Sequence, residues 1–142
     1  SSPALQELET NLSLNSFASA GRHESRCEDV FEVLRGAPDH TYDVVICDPP
    51  NFAKRADERD GALAAYRRLA RECSRVLVPG GTLVSASCSS RVTPSDFFRS
   101  VSSGISAAGR GEEVIERTDH PIDHPASVGF PQYLKCQFAR IR

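Results

Sequence analysis

The chain has 142 residues, of which 39% are apolar and 25% charged, and its formal net charge is −2. This balance is typical of one globular domain, and the slight acidity gives no general electrostatic attraction for nucleic acid. No apolar run approaches the roughly 20 residues that span a bilayer, and the first residues lack a signal-peptide pattern, so we expect a cytoplasmic protein without a membrane partner.

The first part of the chain predicts two helices and a polar strand. Apolar residues at helical spacing, after a Ser-Pro start, predict a helix over residues 3–15. Residues 22–27 are read as a short polar edge strand. Residues 28–34 then predict a short helix, for which Asp29 is a candidate N-cap.

An apolar strand begins at Tyr42 and runs into Asp48-Pro49-Pro50. Its segment Val44–Ile46 is apolar on both faces, as expected for a parallel strand with helices on either side. Asp48 therefore lies at the strand's carboxyl end, where open α/β sheets place their ligands, and the prolines end the strand. A strand-ending turn alone would also account for these three residues.

Alternating helices and strands fill the rest of the chain. A second apolar strand follows a Pro79-Gly80-Gly81 turn and ends at Cys88, which brings Cys88 and Asp48 to one edge of a sheet. The order predicts a doubly wound α/β sheet. The predicted elements are a helix over 57–77, a strand over 82–87, a helix over 93–108, and strands over 113–117 and 133–141.

Three motifs follow one another in this order. They are Asp48-Pro49-Pro50-Asn51-Phe52, then Ser87-Cys88-Ser89, then Asp123-His124-Pro125 followed by Phe130-Pro131 and Tyr133-Leu134-Lys135. With them the chain resembles the class I S-adenosylmethionine-dependent methyltransferases, and among these the large-subunit ribosomal RNA cytosine carbon-5 methyltransferases. A softer match at Pro3-Ala4-Leu5 with Asn11 and Asn15 extends the resemblance over almost the whole chain.

The resemblance implies a Rossmann-like methyltransferase sheet with an antiparallel last strand. It also implies that residues 1–142 are a single, N-terminally truncated catalytic domain, because the family's glycine-rich cofactor loop has no counterpart here. We expect such a fragment to be inactive in isolation. The lost neighbour of the Tyr42 strand predicts either a homo-oligomer through that sheet edge or an incompletely ordered N-terminal third.

By resemblance, the cofactor is S-adenosyl-L-methionine and the substrate is ribosomal RNA. Asp29, Asp48 and Pro49 are the candidate cofactor-binding residues, with helix capping as the other reading of Asp29. The candidate substrate-binding residues are Pro50, Asn51, Phe52 and Lys54, with core packing as the other reading of Phe52.

Cys88 and Asp48 are the candidate catalytic residues. Carbon 5 of cytosine is too weak a nucleophile to attack a methyl sulfonium until a thiolate has added to carbon 6, and Cys88 is the candidate thiolate. A small buried cysteine is the other reading of Cys88. Asp48 would position the base or move its carbon-5 proton. For His124, we favour fixing a loop over proton transfer.

Other features of the sequence predict no site. Five scattered cysteines without metal-ligand spacing indicate free thiols and no metal. The row Arg67, Arg71 and Arg75 is read as a solvated helix face that pairs with Glu72, rather than as an RNA contact.

Two other functions remain open from the sequence. One is methylation of a nucleobase amino group, in which Asp-Pro-Pro holds the amine and Cys88 is incidental. The other is a noncatalytic methyltransferase-like remnant that acts through protein contacts. Loss of turnover on replacing Cys88 separates the first from the carbon-5 reaction.

Overall fold

A computed structural model describes residues 2–15, 23–126 and 132–142. The chain divides into two compact units, Ser1–Val33 and Leu34–Arg142. None of the described helices is long and apolar enough to cross a bilayer, and the described residues hold no cluster of metal-ligating side chains.

The first unit is built around helix α1 (Ser2–Ser13). Glu9 on this helix accepts a hydrogen bond from the Ser25 hydroxyl at 2.7 Å and pairs with the His23 ring at 3.0 Å. Residues 23–27 therefore bind a helix through their side chains and form no strand. The predicted strand over residues 22–27 is wrong for these residues, since polar side chains there serve helix contacts; residue 22 lies outside the described residues.

Helix α2 (Val30–Gly36) begins immediately after Asp29. The Asp29 carboxylate accepts hydrogen bonds from the backbone N–H groups of Phe31 at 2.9 Å and Glu32 at 3.3 Å. Asp29 thus satisfies two of the donors that a helix start leaves unpaired. The predicted N-cap is observed.

The second unit contains a four-stranded sheet in the order β1-β2-β4-β3. β1 pairs with β2 in parallel, whereas β4 is antiparallel to both of its neighbours, so the predicted α/β sheet with an antiparallel last strand is confirmed. The strands are β1 (Tyr42–Cys47), β2 (Leu77–Ser87), β3 (Glu112–Thr118) and β4 (Lys135–Ile141).

Helices α3 (Arg59–Val76) and α4 (Pro94–Ala107) pack against each other and cover one face of this sheet. A short 3-10 turn, Ala56–Glu58, precedes α3, and the Thr93 hydroxyl caps α4 by accepting from the Asp96 N–H. The core between sheet and helices is mainly apolar, and Ser74, Ser87 and Gln137 are buried within it. Its largest buried side chains are Phe97, Leu69, Leu77, Leu83, Ile105 and Ile141.

The opposite face of β1 is exposed. Val44 is 56% and Ile46 70% accessible to solvent. The prediction that β1 is buried on both faces is therefore wrong for the described chain, because β1 is an edge strand and the described part of the second unit has no helix over this face. The predicted partner chain at the β1 edge stays a prediction.

The Pro79-Gly80-Gly81 segment lies inside β2 rather than before it. Gly80 adopts a φ of 83°, and the pairing register shifts between Tyr42 and Val44 opposite this segment. A Cβ on Gly81 would lie 3.0 Å from the Asp43 carbonyl oxygen. The predicted turn is thus an irregularity within a longer strand, which glycine permits through its conformational freedom and small size.

The contact between α3 and α4 depends on Gly104. A Cβ at this position would lie 2.2 Å from the Arg67 carbonyl oxygen and 2.8 Å from the Ala70 Cβ. We expect Gly104→Ala to lower the free energy of unfolding by about 1–3 kcal/mol through overpacking. The chemical denaturation midpoint measures this loss.

Gly61→Ala is the matched control, because nothing lies within 4 Å of the position that a Cβ would occupy at this residue of α3. A glycine-to-alanine change in an open helical position stabilises by about 0.5–1 kcal/mol. An unchanged or raised midpoint for Gly104→Ala would contradict the close packing of the two helices.

Candidate active site

Asp48 and Cys88 lie at the same carboxyl edge of the sheet. Cys47 pairs with Ser85, so Asp48 is level with Ala86 and Cys88 follows two residues later on the neighbouring strand. Standard strand spacing and rise put their Cα atoms about 8 Å apart. Asp48 is exposed, and Cys88 is a half-exposed free thiol.

Asp48 and Cys88 directly follow β1 and β2, and each is more exposed than the residue before it. Along β2, Leu83, Ser85 and Ser87 are buried under the helices, whereas Ala86 and Cys88 are half-exposed. Along β1, Cys47 faces α3 and its thiol is hydrogen-bonded with Cys73. This hydrogen bond and burial raise the pKa of the Cys73 thiol. Asp48, one residue after Cys47, is exposed.

The charges of the two candidate residues both act on Tyr66, and that of Asp48 also acts on Cys136. Burial raises the pKa of the Tyr66 phenol, and the negative charges of Cys88, Cys47 and Asp48 add to that rise. Burial, followed by the Asp48 carboxylate, raises the pKa of Cys136, which pairs with Ala86 in the sheet. Asp48 therefore acts electrostatically across β2.

The serines on either side of Cys88 are buried and hydrogen-bonded. The Ser87 hydroxyl lies 2.8 Å from the Tyr66 hydroxyl and accepts from the Ser89 N–H at 3.3 Å. The Ser89 hydroxyl donates to the Ala53 carbonyl at 3.2 Å and accepts from the Arg91 N–H at 3.3 Å. These contacts turn both serines inward and tie the loop after β2 to the loop after β1.

Lys135 is buried beneath the loop that carries Cys88, with 3% of its surface exposed. Its ammonium donates to the carbonyl oxygens of Ser89, Val92 and Tyr133 at 2.5, 2.8 and 3.1 Å. Burial lowers the pKa of Lys135 to about 8. The sequence alone assigns Lys135 no role. Its position on β4, directly opposite Ser87 of β2, becomes visible only with the strand register.

The loop after β1 has its own fixed geometry. The Asn51 side chain accepts from the Ala53 N–H at 2.9 Å, and the Phe52 ring lies 5.2 Å from the Tyr66 ring. Phe52 is half-buried, so its packing against the core is observed. Pro50 and Lys54 are exposed, whereas Pro49 is half-buried.

Asp29 and His124 are the remaining predicted candidates. Asp29 belongs to the first unit, where it caps α2. The His124 ring contacts the Tyr133 hydroxyl at 2.6 Å, and the His124 carbonyl oxygen lies 3.0 Å from the His120 ring. Such contacts are expected of a residue that fixes a loop. The motif residues Phe130-Pro131 fall outside the described residues.

The arginine row of α3 pairs largely with acidic neighbours. Arg71 and Arg75 both form ion pairs with Glu72, and Arg75 also pairs with Asp39. The pairing with Glu72 that the sequence predicted is therefore observed. Arg67 is exposed.

The sequence is similar to large-subunit ribosomal RNA methyltransferases over almost its whole length. It is 41% identical to the Ribosomal RNA large subunit methyltransferase of Deinococcus radiodurans over 99% of this chain and 35% of that protein. It is 36% identical to the Ribosomal RNA large subunit methyltransferase I of Vibrio cholerae over 95% of this chain and 35% of that protein. The chain thus spans about a third of the length of the curated relatives it matches.

Solved methyltransferase structures share the fold. A protein described as a SAM-dependent methyltransferase from Streptococcus mutans matches 80% of this chain and 29% of its own, with a TM-score of 0.62 and 21% identity. A DNA modification methylase from Thermus thermophilus, solved with S-adenosyl-L-methionine, matches 79% of this chain and 50% of its own, with a TM-score of 0.51 and 20% identity. No protein-family model matches the chain.

These similarities confirm the resemblance that the sequence motifs predicted. The shared fold is the Rossmann-like sheet of the S-adenosylmethionine-dependent methyltransferases. The chain is a homologue of a segment of the large-subunit ribosomal RNA methyltransferases.

Proposed function

We propose that the full-length protein carrying this chain is an S-adenosylmethionine-dependent methyltransferase that acts on large-subunit ribosomal RNA. The names of the similar proteins support this activity and this substrate. The observation that carries the proposal is that Asp48 and Cys88 directly follow β1 and β2, two neighbouring parallel strands, at the same edge of the sheet. A ribosomal RNA substrate is the reason to expect the protein in the cytoplasm.

The finer proposal is that the product is 5-methylcytosine. The Cys88 thiolate adds to carbon 6 of cytosine, and the electron pair of the 5,6 double bond makes carbon 5 nucleophilic. Carbon 5 then takes the methyl group, which S-adenosyl-L-methionine supplies. Removal of the carbon-5 proton expels the Cys88 thiolate and restores the double bond. Asp48 is the residue placed to accept that proton or to orient the base.

Asp48 and Pro49 fit a cofactor site at the end of β1. The Asp48 carboxylate is exposed at the carboxyl edge and forms no hydrogen bond or ion pair with any described residue, so it is available to a ligand. Such edges are where α/β sheets bind nucleotides. Asp29 is the third proposed cofactor contact, through its carboxylate oxygens, while it continues to cap α2.

The loop after β1 is proposed to meet the target nucleotide. An enzyme can react with a base only after the base has left its stack. An exposed aromatic ring then offers the flipped base a surface on which to pack. Phe52 is held against Tyr66 by one side and remains half-exposed on the other. Pro50 and Asn51 shape the backbone beside it, and exposed Lys54 is the proposed phosphate contact.

Replacing Cys88 tests the carbon-5 reaction. In the full-length protein, Cys88→Ala removes the attacking group and should lower methyl transfer to large-subunit RNA at least about a thousandfold. Cofactor binding should persist, because alanine leaves the strand end intact. The measurements are transfer of a labelled methyl group and calorimetric binding of S-adenosyl-L-methionine.

Cys27→Ala is the control of matched chemistry, since Cys27 is an exposed free thiol of the first unit. It should retain the parent rate. Retained turnover in Cys88→Ala would instead support methylation of a nucleobase amino group. Cofactor binding without any methyl transfer in the parent protein would support a noncatalytic scaffold.

The link between the two loops gives a second prediction. Ser89→Ala breaks the bond to the Ala53 carbonyl and leaves the Arg91 N–H without its partner. We expect a loss of about 1–2 kcal/mol in the free energy of unfolding, together with a lower kcat for methyl transfer. Ser90→Ala is the control, because Ser90 is exposed. Equal kcat values for the two variants would show that the hydrogen bond between Ser89 and the Ala53 carbonyl does not contribute to methyl transfer.

A further inference from the structure

A groove open to solvent lies between α3 and α4. It has a volume of about 300 Å³ and is lined by two arginines, two serines and two apolar residues, which are Leu63, Ala64, Arg67, Arg99, Ser100 and Ser103. The two helices approach closely at Gly104, which packs against the backbone of Arg67. Helix packing therefore fixes the walls of the groove, and its lining combines positive charge with hydroxyl groups.

Arg67 brings an uncancelled charge to this groove. Glu72 forms ion pairs with Arg71 and Arg75, the other two members of the arginine row on α3. Within the described part of the chain, no ion pair includes Arg67, and its side chain is exposed. Arg67 therefore differs from the rest of its row, because its guanidinium is available to an anion from outside.

Arg99 brings a second guanidinium from α4. Its side chain is 75% exposed, and its contact with the Asp96 carboxylate is 3.6 Å long. The same carboxylate is bound more closely by Arg59, at 2.7 Å, and by the Thr93 hydroxyl, also at 2.7 Å. An exposed ion pair of that length is weak, so Arg99 can turn to an anion in the groove.

The two serines add neutral donors beside the arginines. Ser100 and Ser103 are three residues apart on α4, a spacing that puts them on one side of the helix. Neither hydroxyl has a hydrogen-bond partner among the residues that the structure describes. Guanidinium forks and serine hydroxyls are groups with which proteins contact the phosphates of nucleic acids. The groove thus presents the chemistry of a phosphate contact.

The groove is close to the sheet edge that carries the candidate site. Each helix begins soon after the loop at that edge, α3 at Arg59 and α4 at Pro94. At about 1.5 Å per residue, Arg67 lies about 12 Å along α3 from its start, and Arg99 lies about 8 Å along α4. The backbone of an RNA whose target base occupies the edge can therefore reach the groove.

We infer that the groove between α3 and α4 binds a backbone phosphate of the RNA substrate, beside the target nucleotide. This inference rests on the proposed function, since it takes ribosomal RNA as the substrate. The net charge of −2 gives RNA no general attraction to the chain, so local cations that no carboxylate cancels carry the contact. Such a contact supplies affinity and orientation without reading sequence.

Removing the two guanidinium groups tests the contact. In the full-length protein, Arg67→Gln with Arg99→Gln should raise the dissociation constant for large-subunit RNA, and the KM for that RNA, about tenfold at 0.15 M salt. The kcat at saturating RNA should stay unchanged, because the groove takes no part in the chemistry. The slope of log affinity against log salt should become shallower by about 1.5, the contribution of two phosphate contacts.

The control is Arg71→Gln with Arg140→Gln, which removes the same charge outside the groove. Arg71 pairs with Glu72, and Arg140 is an exposed residue of β4. This double variant should keep the parent affinity and salt slope within about twofold, since neither arginine lines the groove. Equal losses in the two double variants would overturn the inference.

A carboxylate placed inside the groove gives an independent test. Ser103→Glu leaves both arginines intact but fills the groove with negative charge, so it should weaken RNA binding about as much as the arginine pair. Ser106→Glu adds the same charge at an exposed position of α4 outside the groove and should have little effect. Parent-like RNA affinity in Ser103→Glu would overturn the inference.

Two further measurements identify which claim fails. Calorimetric binding of S-adenosyl-L-methionine and the denaturation midpoint should match the parent in every variant, and loss of both together with RNA binding would overturn the inference in favour of a folding role. Failure of the parent protein to bind or methylate large-subunit RNA would overturn the proposed function. Normal parent activity with no difference between groove and control variants would overturn the groove alone.

Discussion

The candidate site depends on the in-and-out alternation of Ser87, Cys88 and Ser89 at the end of β2. Two inward hydroxyls are held by buried hydrogen bonds, one to Tyr66 and one to the Ala53 carbonyl. Leaving either group unpaired in the interior would cost more than the bond itself contributes. The burial of Ser87 and Ser89 is therefore fixed by these bonds, and Cys88 between them is left half-exposed.

The same hydrogen bonds help to bring the two distant segments of the candidate site together. Parallel pairing of β1 with β2 brings Asp48 and Cys88 to one edge, but pairing alone does not fix the loops that follow the strands. The hydrogen bond from the Ser89 hydroxyl to the Ala53 carbonyl joins those loops. The packing of Phe52 on Tyr66 fixes the loop after β1 against the core. Tyr66 of α3 thus contacts Phe52 in the loop after β1 and Ser87 at the end of β2.

The sequence predicted the two strand ends that carry the candidate residues, because strand ends leave strong local signals. Apolar runs followed by Asp48-Pro49 and by Ser87-Cys88 identify two carboxyl edges without any tertiary information. Lys135 could not be predicted in this way, since its partners are carbonyl groups that depend on backbone path and register. The strand predicted over residues 22–27 is wrong for residues 23–27, because the side chains of His23 and Ser25 bind Glu9. A local sequence pattern does not reveal such a contact.

The exposed face of β1 shows the same division between local and tertiary information. The segment Val44–Ile46 has the composition of a doubly covered strand, but the described chain covers only the face of Val45 and Cys47 and leaves Val44 and Ile46 exposed. The periodicity of a strand reports what its side chains are suited to contact, whereas burial depends on the elements that are actually present.

Trapping the adduct with RNA that carries 5-fluorocytosine tests the central claim most directly. Fluorine at carbon 5 cannot leave as the proton does, so the sulfur–carbon-6 bond should persist after methyl transfer. We expect a stable protein–RNA complex whose cross-linked peptide contains Cys88. A cross-link at another cysteine, or full methylation of ordinary RNA with no complex on the fluorinated RNA, would contradict it.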